Sequence, residues 1–155
     1  MKINLLAIGT KMPPWVSEGY AEYAKRLPKE FSLQLIEISA QKRSKSANIK
    51  QLLAIESEQL LATVPSHSVI ITLDRLGKSL STEQFAQKLW QFHQLSQDVS
   101  LLIGGPEGIS PTVIQKANES WSLSALTLPH PVVRIVIAEQ IYRAWSILSH
   151  HPYHR

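Results

Sequence analysis

The chain has 155 residues, 44% of them hydrophobic and 18% charged, the balance of one soluble globular domain and not of a disordered or fibrous chain. It holds no cysteine, which excludes disulfide frameworks, thiolate zinc sites, iron–sulfur clusters and a cysteine nucleophile together. Sixteen Lys and Arg against twelve Asp and Glu give a net charge of +4, with six His in reserve, and this favours a polyanionic partner.

Residues 3–8 are a short, β-rich apolar run behind a single Lys2. The run lacks the small-residue cleavage pattern of a secretory leader and reads as a strand. No apolar stretch reaches the roughly 20 residues that a membrane helix requires, so a cytoplasmic chain is expected. Pro13-Pro14 mark a helix start ahead of Trp15, Tyr20, Tyr23, Ala24 and Leu27 at helical spacing. Phe31, Leu33 and Leu35 alternate with polar residues and lead into Ile36 and Ile38, a second strand before the basic loop Gln41-Lys42-Arg43-Ser44-Lys45. A long helix follows, with Ile49, Leu52, Leu53, Leu60 and Leu61 on its apolar face and Pro65 beyond its end. Val69-Ile70-Ile71-Thr72-Leu73 is β-branched and nearly all apolar, as expected of a strand buried on both faces of a parallel sheet. Ser81 with Gln84 forms a capping box for a helix carrying Phe85, Leu89, Trp90 and Phe92. Residues 99–103 read as another buried strand, and Ser110-Pro111 as an N-cap with proline in the first turn. The last strand is expected over 121–126.

The final helix, 132–148, is apolar around much of its circumference. A surface helix needs an apolar arc of about 100°, so the surplus points to a second apolar partner, most simply another subunit, with a central buried helix as the alternative. Strands alternating with helices, without repeats or linkers, imply a single doubly wound α/β domain over 1–155 with five or six mostly parallel strands. Such sheets bind ligands beyond their strand C-termini.

Three unusual segments fall at those ends: Leu73-Asp74-Arg75-Leu76-Gly77-Lys78-Ser79, Gly104-Gly105-Pro106-Glu107-Gly108, and Leu126-Thr127-Leu128-Pro129-His130-Pro131. Gly77-Lys78-Ser79 is no phosphate loop, because Thr72 stands where that motif needs glycine. The glycine turn also lacks the G-x-G-x-x-G spacing of a dinucleotide fold. Glycines beside an apolar loop offer main-chain N–H and C=O groups next to apolar walls, which suits a neutral heterocycle such as adenine; two plain tight turns explain the glycines equally well. The tail His150-His151-Pro152-Tyr153-His154-Arg155 combines a base near neutral pH, a stacking ring and a permanent cation. It has no Asp, Glu or Cys and fits no common metal site, and a frayed end is the alternative. Asp74 and Glu107 can simply complete turns.

Four stretches form a set: Leu-Leu-Ile-Gly-Gly-Pro-Glu-Gly at 101–108, Leu128-Pro129-His130, Arg134 with Glu139-Gln140 and Tyr142-Arg143-Ala144, and Pro152-Tyr153-His154. In order, spacing and total length the chain resembles the bacterial ribosomal RNA large-subunit methyltransferase H family of the SPOUT superfamily. The resemblance implies a SPOUT fold whose C-terminal part is threaded into a deep trefoil knot, an exception to the rule that chains do not thread their own loops. It also implies a homodimer built on the last helix, S-adenosylmethionine as cofactor, and a substrate in 23S rRNA within the assembled ribosome. That substrate is a pseudouridine, methylated at N3. Neither metal, membrane nor DNA is implied. By position, the family's cofactor contacts fall on Leu73, Gly104 and Leu123-Ser124-Ala125-Leu126-Thr127-Leu128, with Gly105, Pro106, Glu107 and Gly108 shaping the wall. For catalysis His154 is expected to accept the N3 proton, Arg155 to stabilise the developing imidate oxygen and Tyr153 to pack against base or cofactor. One subunit's crevice is expected to work with the other's tail. Lys11, Lys42, Arg43 and Lys45 are candidate RNA phosphate contacts. The rivals are a SPOUT enzyme acting on transfer RNA and a dimeric RNA-binding module without catalysis.

Overall fold

The computed structural model describes residues 1–155. Strands and helices alternate as β1 (Lys2–Ile8), α1 (Pro14–Ala24), β2 (Ser32–Ile38), α2 (Ile49–Thr63), β3 (Val69–Ser79), α3 (Thr82–Gln94), β4 (Val99–Ile103), α4 (Pro111–Lys116), β5 (Glu119–Ser122) and α5 (His130–Leu148). Single turns of 3-10 helix cover Lys29–Phe31 and Pro152–His154. The five strands lie in the order β2-β1-β4-β3-β5, and every pairing is parallel.

The central strands read as continuous apolar runs because both faces of the sheet are covered. Ile3, Leu5 and Ala7 of β1 join Leu101 and Ile103 of β4 on one face, under Phe85 and Leu89 of α3 and Ile137 and Ile141 of α5. Leu6, Ile8 and Leu102 point the other way, into a smaller cluster with Leu60 of α2 and Val113 of α4. The capping box at α3 is present: the Gln84 amide donates to Ser81 Oγ and the Ser81 amide to Gln84 Oε1. Ser110 caps α4, with Pro111 in its first turn.

Three boundaries differ from the sequence reading. β3 does not stop near Leu73. Trp121 lies opposite both Leu73 and Lys78, so residues 74–77 bulge out and the strand resumes to Ser79. Gly77 permits this, since a methyl group there would sit 2.7 Å from the Ser120 and Trp121 backbone. β5 ends at Ser122 and not near Leu126: Ser122 Oγ donates to the Ser124 carbonyl and the Leu126 amide to Ser124 Oγ, which turns the chain out of the sheet. α5 begins two residues early, at His130.

Much of the surplus apolar surface of α5 is covered within the chain. The helix lies against the sheet with α1 and α3 packed beside it. Its contact with α1 is close: a methyl group on Gly19 would meet Ile135 Cδ1 at 2.7 Å. Val132, Val133, Ile135, Val136, Trp145 and Ile147 stay half-buried.

Candidate active site

The C-termini of β4, β3 and β5 are neighbours, and the segments leaving them enclose one crevice of ≈ 1090 Å³. The bulge supplies its first wall. Asp74 Oδ1 accepts from the Leu76 amide at 2.9 Å, completing the turn that carries Asp74, Arg75 and Leu76 to the lining.

The second wall is the glycine turn. The Gly108 amide donates to the Gly105 carbonyl at 2.9 Å, and Gly108 has φ +80°, a left-handed conformation that glycine adopts freely. Gly104 lies so close beneath that a methyl group there would be 2.3 Å from the Gly108 carbonyl oxygen. Glu107, on the same turn, pairs with Arg43 at 2.5 Å, and the guanidinium holds its carboxyl below the ordinary carboxylate range. Arg43 also grips Glu56 of α2, which is 3% exposed, at 2.5 Å. Arg43 is therefore spent on two carboxylates and is not the free phosphate contact expected from its basic loop. Lys42, Lys45 and Lys11 are exposed.

The third wall is the 123–128 loop with the start of α5. His130, at the first position of that helix, lines the crevice, and its Nδ1 is buried without a partner. Burial, and then the charge of Arg134, lower its pKa, so the ring is neutral near pH 7. Arg134, 1% exposed, donates to Glu37 at 2.7 Å and to the Gly9 carbonyl at 2.8 Å. It thereby ties α5 to the C-terminal ends of β1 and β2.

Of the residues nominated from sequence, Leu73, the whole 104–108 turn, Leu123, Ser124, Leu126, Thr127 and Leu128 line this crevice. Ala125 is exposed and does not. Sequence reasoning missed Ile109 and Ile114, whose apolar side chains join the lining from around α4. Their signal was available: a capped helix starts directly behind the glycine turn.

Tyr153, His154 and Arg155 do not line the crevice of their own chain. The tail folds back on the outer part of α5 instead. The Tyr153 hydroxyl donates to Glu139 at 3.0 Å, its ring meets Tyr142 at 4.6 Å, and the Arg143 guanidinium lies over it. Burial and the neighbouring Glu139 carboxylate leave the phenol pushed up to about 12, so it stays protonated. Ser146, fully buried, donates its one proton to the Arg143 carbonyl at 2.7 Å. Its oxygen lies 3.4 Å from His154 Nδ1. No group of three or more His, Asp or Glu side chains is placed to hold a metal ion.

The donor set of the crevice fits a zwitterionic nucleoside with a neutral ring. Leu73, Ile103, Ile109, Ile114, Leu123 and Val133 supply apolar walls, and two irregular segments supply main-chain polar groups. Arg75 is the single full cation of the lining, too few for a triphosphate. The volume lies just above the roughly 300–1,000 Å³ usual for small-molecule sites.

An all-parallel sheet with a glycine turn and an apolar loop closing one strand-end crevice is the arrangement of an α/β methyltransferase of the SPOUT class, and the family described as Predicted SPOUT methyltransferase matches residues 1–154. The chain belongs to that family. It is 56% identical over 155 residues, all of both chains, to Ribosomal RNA large subunit methyltransferase H of Coxiella burnetii (strain Dugway 5J108-111). Among solved structures it is similar in fold to a probable methylase family protein from Haemophilus influenzae Rd KW20, with a TM-score of 0.57 and 16% identity over 99% of this chain and 70% of that one. A methylase family protein from Neisseria gonorrhoeae gives 0.52 and 12% over 96% and 93%. A candidate methyltransferase from Legionella pneumophila, solved in complex with the cofactor SAM, gives 0.50 and 14% over 93% and 66%.

Proposed function

We propose that the protein is an S-adenosylmethionine-dependent methyltransferase that methylates N3 of a pseudouridine in 23S rRNA of the assembled ribosome, and that it acts in the cytoplasm as a homodimer. The observation that carries the reading is the meeting of the three strand-end segments around one crevice of suitable size and chemistry. The full-length identity to a ribosomal RNA large subunit methyltransferase H supports the choice of substrate.

When bound, S-adenosylmethionine supplies a methyl group already activated by its sulfonium charge. The reaction removes the N3 imide proton, forms the N3–CH₃ bond and breaks the S–CH₃ bond, whose electron pair stays on sulfur. The chain has two tasks: to align N3 with that bond and to take the proton. The Gly104 turn and the 123–128 loop are the cofactor cradle, with main-chain groups as donors and acceptors. His154 is the proton acceptor, with its Nδ1 3.4 Å from the buried Ser146 hydroxyl. Arg155 stabilises the charge that develops on the imidate oxygen, and Tyr153, a protonated phenol, packs and orients. Because this tail lies on α5 outside its own crevice, the acceptor side of each site is completed by the other protomer's tail, with the half-buried apolar residues of α5 at the interface. The resemblance further implies the knotted threading of the C-terminal part of the chain. Exposed Lys42, Lys45 and Lys11 meet RNA phosphates.

The test is mass mapping of 23S rRNA from unmodified ribosomes treated with the protein and labelled cofactor. One added methyl on N3 of a single pseudouridine is the expected result. Label in transfer RNA and none in ribosomes replaces this reading with the transfer RNA enzyme. No binding of cofactor, free or with ribosomes, replaces it with a non-catalytic RNA-binding module.

A further inference from the structure

We propose that Arg43 is a positioning residue of the donor crevice: it holds the 104–108 wall in place by bridging Glu107 on that wall to Glu56 inside α2. The proposal rests on reading the crevice as the donor site and moves one layer outward, to a side chain that does not line it.

The geometry is that of a double fork. Arg43 Nη1 and Nη2 donate to the two oxygens of Glu56 at 2.5 and 2.8 Å, while Nη2 and Nε reach the two oxygens of Glu107 at 2.5 and 3.4 Å. Nη1 also donates to the Gln41 carbonyl at 2.7 Å, and the Gln41 amide returns a bond to Glu56 at 2.8 Å. Glu56 is 3% exposed, so its carboxylate needs these partners and anchors the guanidinium. The glycine turn lies directly on this pair: a methyl group on Gly105 would be 3.5 Å from Arg43 Nη2 and 3.6 Å from Glu56 Oε1. Further along the same segment, the hydroxyls of Ser57 of α2 and Ser110 are hydrogen-bonded at 2.6 Å, Ser57 giving its own proton to the Leu53 carbonyl. The wall between is thus pinned to α2 at two points, one ionic and one through hydroxyls. A cradle made of main-chain groups has no side chain to adjust, so its affinity depends on where the backbone is held. A lysine at 43 provides one point charge and cannot make two bidentate forks at once.

Charge and geometry are separated by the choice of probe. S-adenosylhomocysteine lacks the sulfonium charge and is neutral overall, so the uncompensated Glu107 carboxylate in Arg43→Lys attracts it less than the donor itself, and in Glu107→Gln that carboxylate is gone altogether. Calorimetry with S-adenosylhomocysteine on the full-length wild type, Arg43→Lys, Glu107→Gln and the double variant is the experiment, with thermal unfolding and steady-state turnover alongside. Each single change is expected to weaken binding about fivefold or more. KM for the donor rises in step while kcat stays within about twofold, and the double variant binds no worse than Arg43→Lys because both changes cut one bridge. Unchanged affinity with a lowered melting temperature makes the ion pair a fold support only and overturns the proposal, as do additive losses in the double variant. Should Arg43→Lys not fold, Glu56→Gln, which cuts the bridge at its α2 end without altering a side chain of the crevice lining, decides together with Glu107→Gln. A wild type that binds neither ligand overturns the donor-site reading itself; variants matching a wild type that does bind overturn only the role of Arg43.

Discussion

Replacing Gly104 by alanine puts a methyl group 2.3 Å from the Gly108 carbonyl oxygen, 2.4 Å from its carbonyl carbon and 2.8 Å from the Ile109 nitrogen. All three are backbone atoms, so relief cannot come from a rotamer change and the turn itself has to open. Overpacking of this kind costs about 1–3 kcal/mol. For a domain of this size that lowers the melting temperature by roughly 2–12 °C, at about 2–4 °C per kcal/mol. The effect on ligand binding is expected to be the larger one, because the displaced atoms form the crevice wall. S-adenosylhomocysteine affinity should fall more than about tenfold, the equivalent of roughly 1.4 kcal/mol. Gly108→Ala is the matched control. Nothing lies within 4 Å of a methyl group there, and the penalty is only that of φ +80° on an alanine, about 1–2 kcal/mol. The two variants should therefore be destabilised to similar extents while only Gly104→Ala loses the ligand. Differential scanning fluorimetry and calorimetry on the same samples measure both. A Gly104→Ala protein that binds within about twofold of wild type, or a pair of variants that lose affinity equally, refutes the wall as the main-chain cradle.

Other outcomes follow from the same geometry. Mixing a chain truncated after Pro152 with a Gly104→Ala chain should restore turnover to about a quarter of wild type under random pairing, since each mixed dimer then owns one intact site; no recovery shows that crevice and tail act within one chain. Arg134→Ala should lower stability by about 3 kcal/mol in urea melts, because it removes a buried stem, its bond to the Gly9 carbonyl and the partner of Glu37. His130 has a lowered pKa in the folded state, so the unfolded chain binds more protons as pH falls from about 6.5, and stability is lost on the acid side. Melting curves between pH 7.5 and 5.5 should accordingly be flatter for His130→Gln than for wild type. Lys42→Gln with Lys45→Gln should weaken RNA binding and reduce the slope of log affinity against log salt by roughly 0.7–0.9 for each phosphate that is no longer neutralised.

What was legible in the sequence was what short segments decide for themselves. The capping box at Ser81, the proline-led helices and the β-branched run at 69–73 depend on neighbours three or four residues away, and each is present. The glycine turn was visible by composition, and its place at a strand end followed from the alternation of elements. The bulge at 74–77 was not visible, because Trp121, on another strand, decides it by facing both Leu73 and Lys78. The end of β5 was misjudged for a related reason: the apolar run through Leu126 looks like a strand continuing, whereas Ser122 and Ser124 turn it out to line a crevice.

Arg43 shows most plainly why charge alone misleads. In a run with Lys42 and Lys45 it reads as one more cation for RNA, yet its partners Glu56 and Glu107 lie 13 and 64 residues away. For Arg43 to hold a phosphate, the buried Glu56 carboxylate would have to give up its counter-ion, and stripping one partner from such a pair costs about 3–5 kcal/mol. A single exposed phosphate contact does not return that much. The basic loop is therefore divided: the exposed lysines face outward, where the proposed function puts RNA phosphates, and the arginine between them turns inward to Glu56 and Glu107.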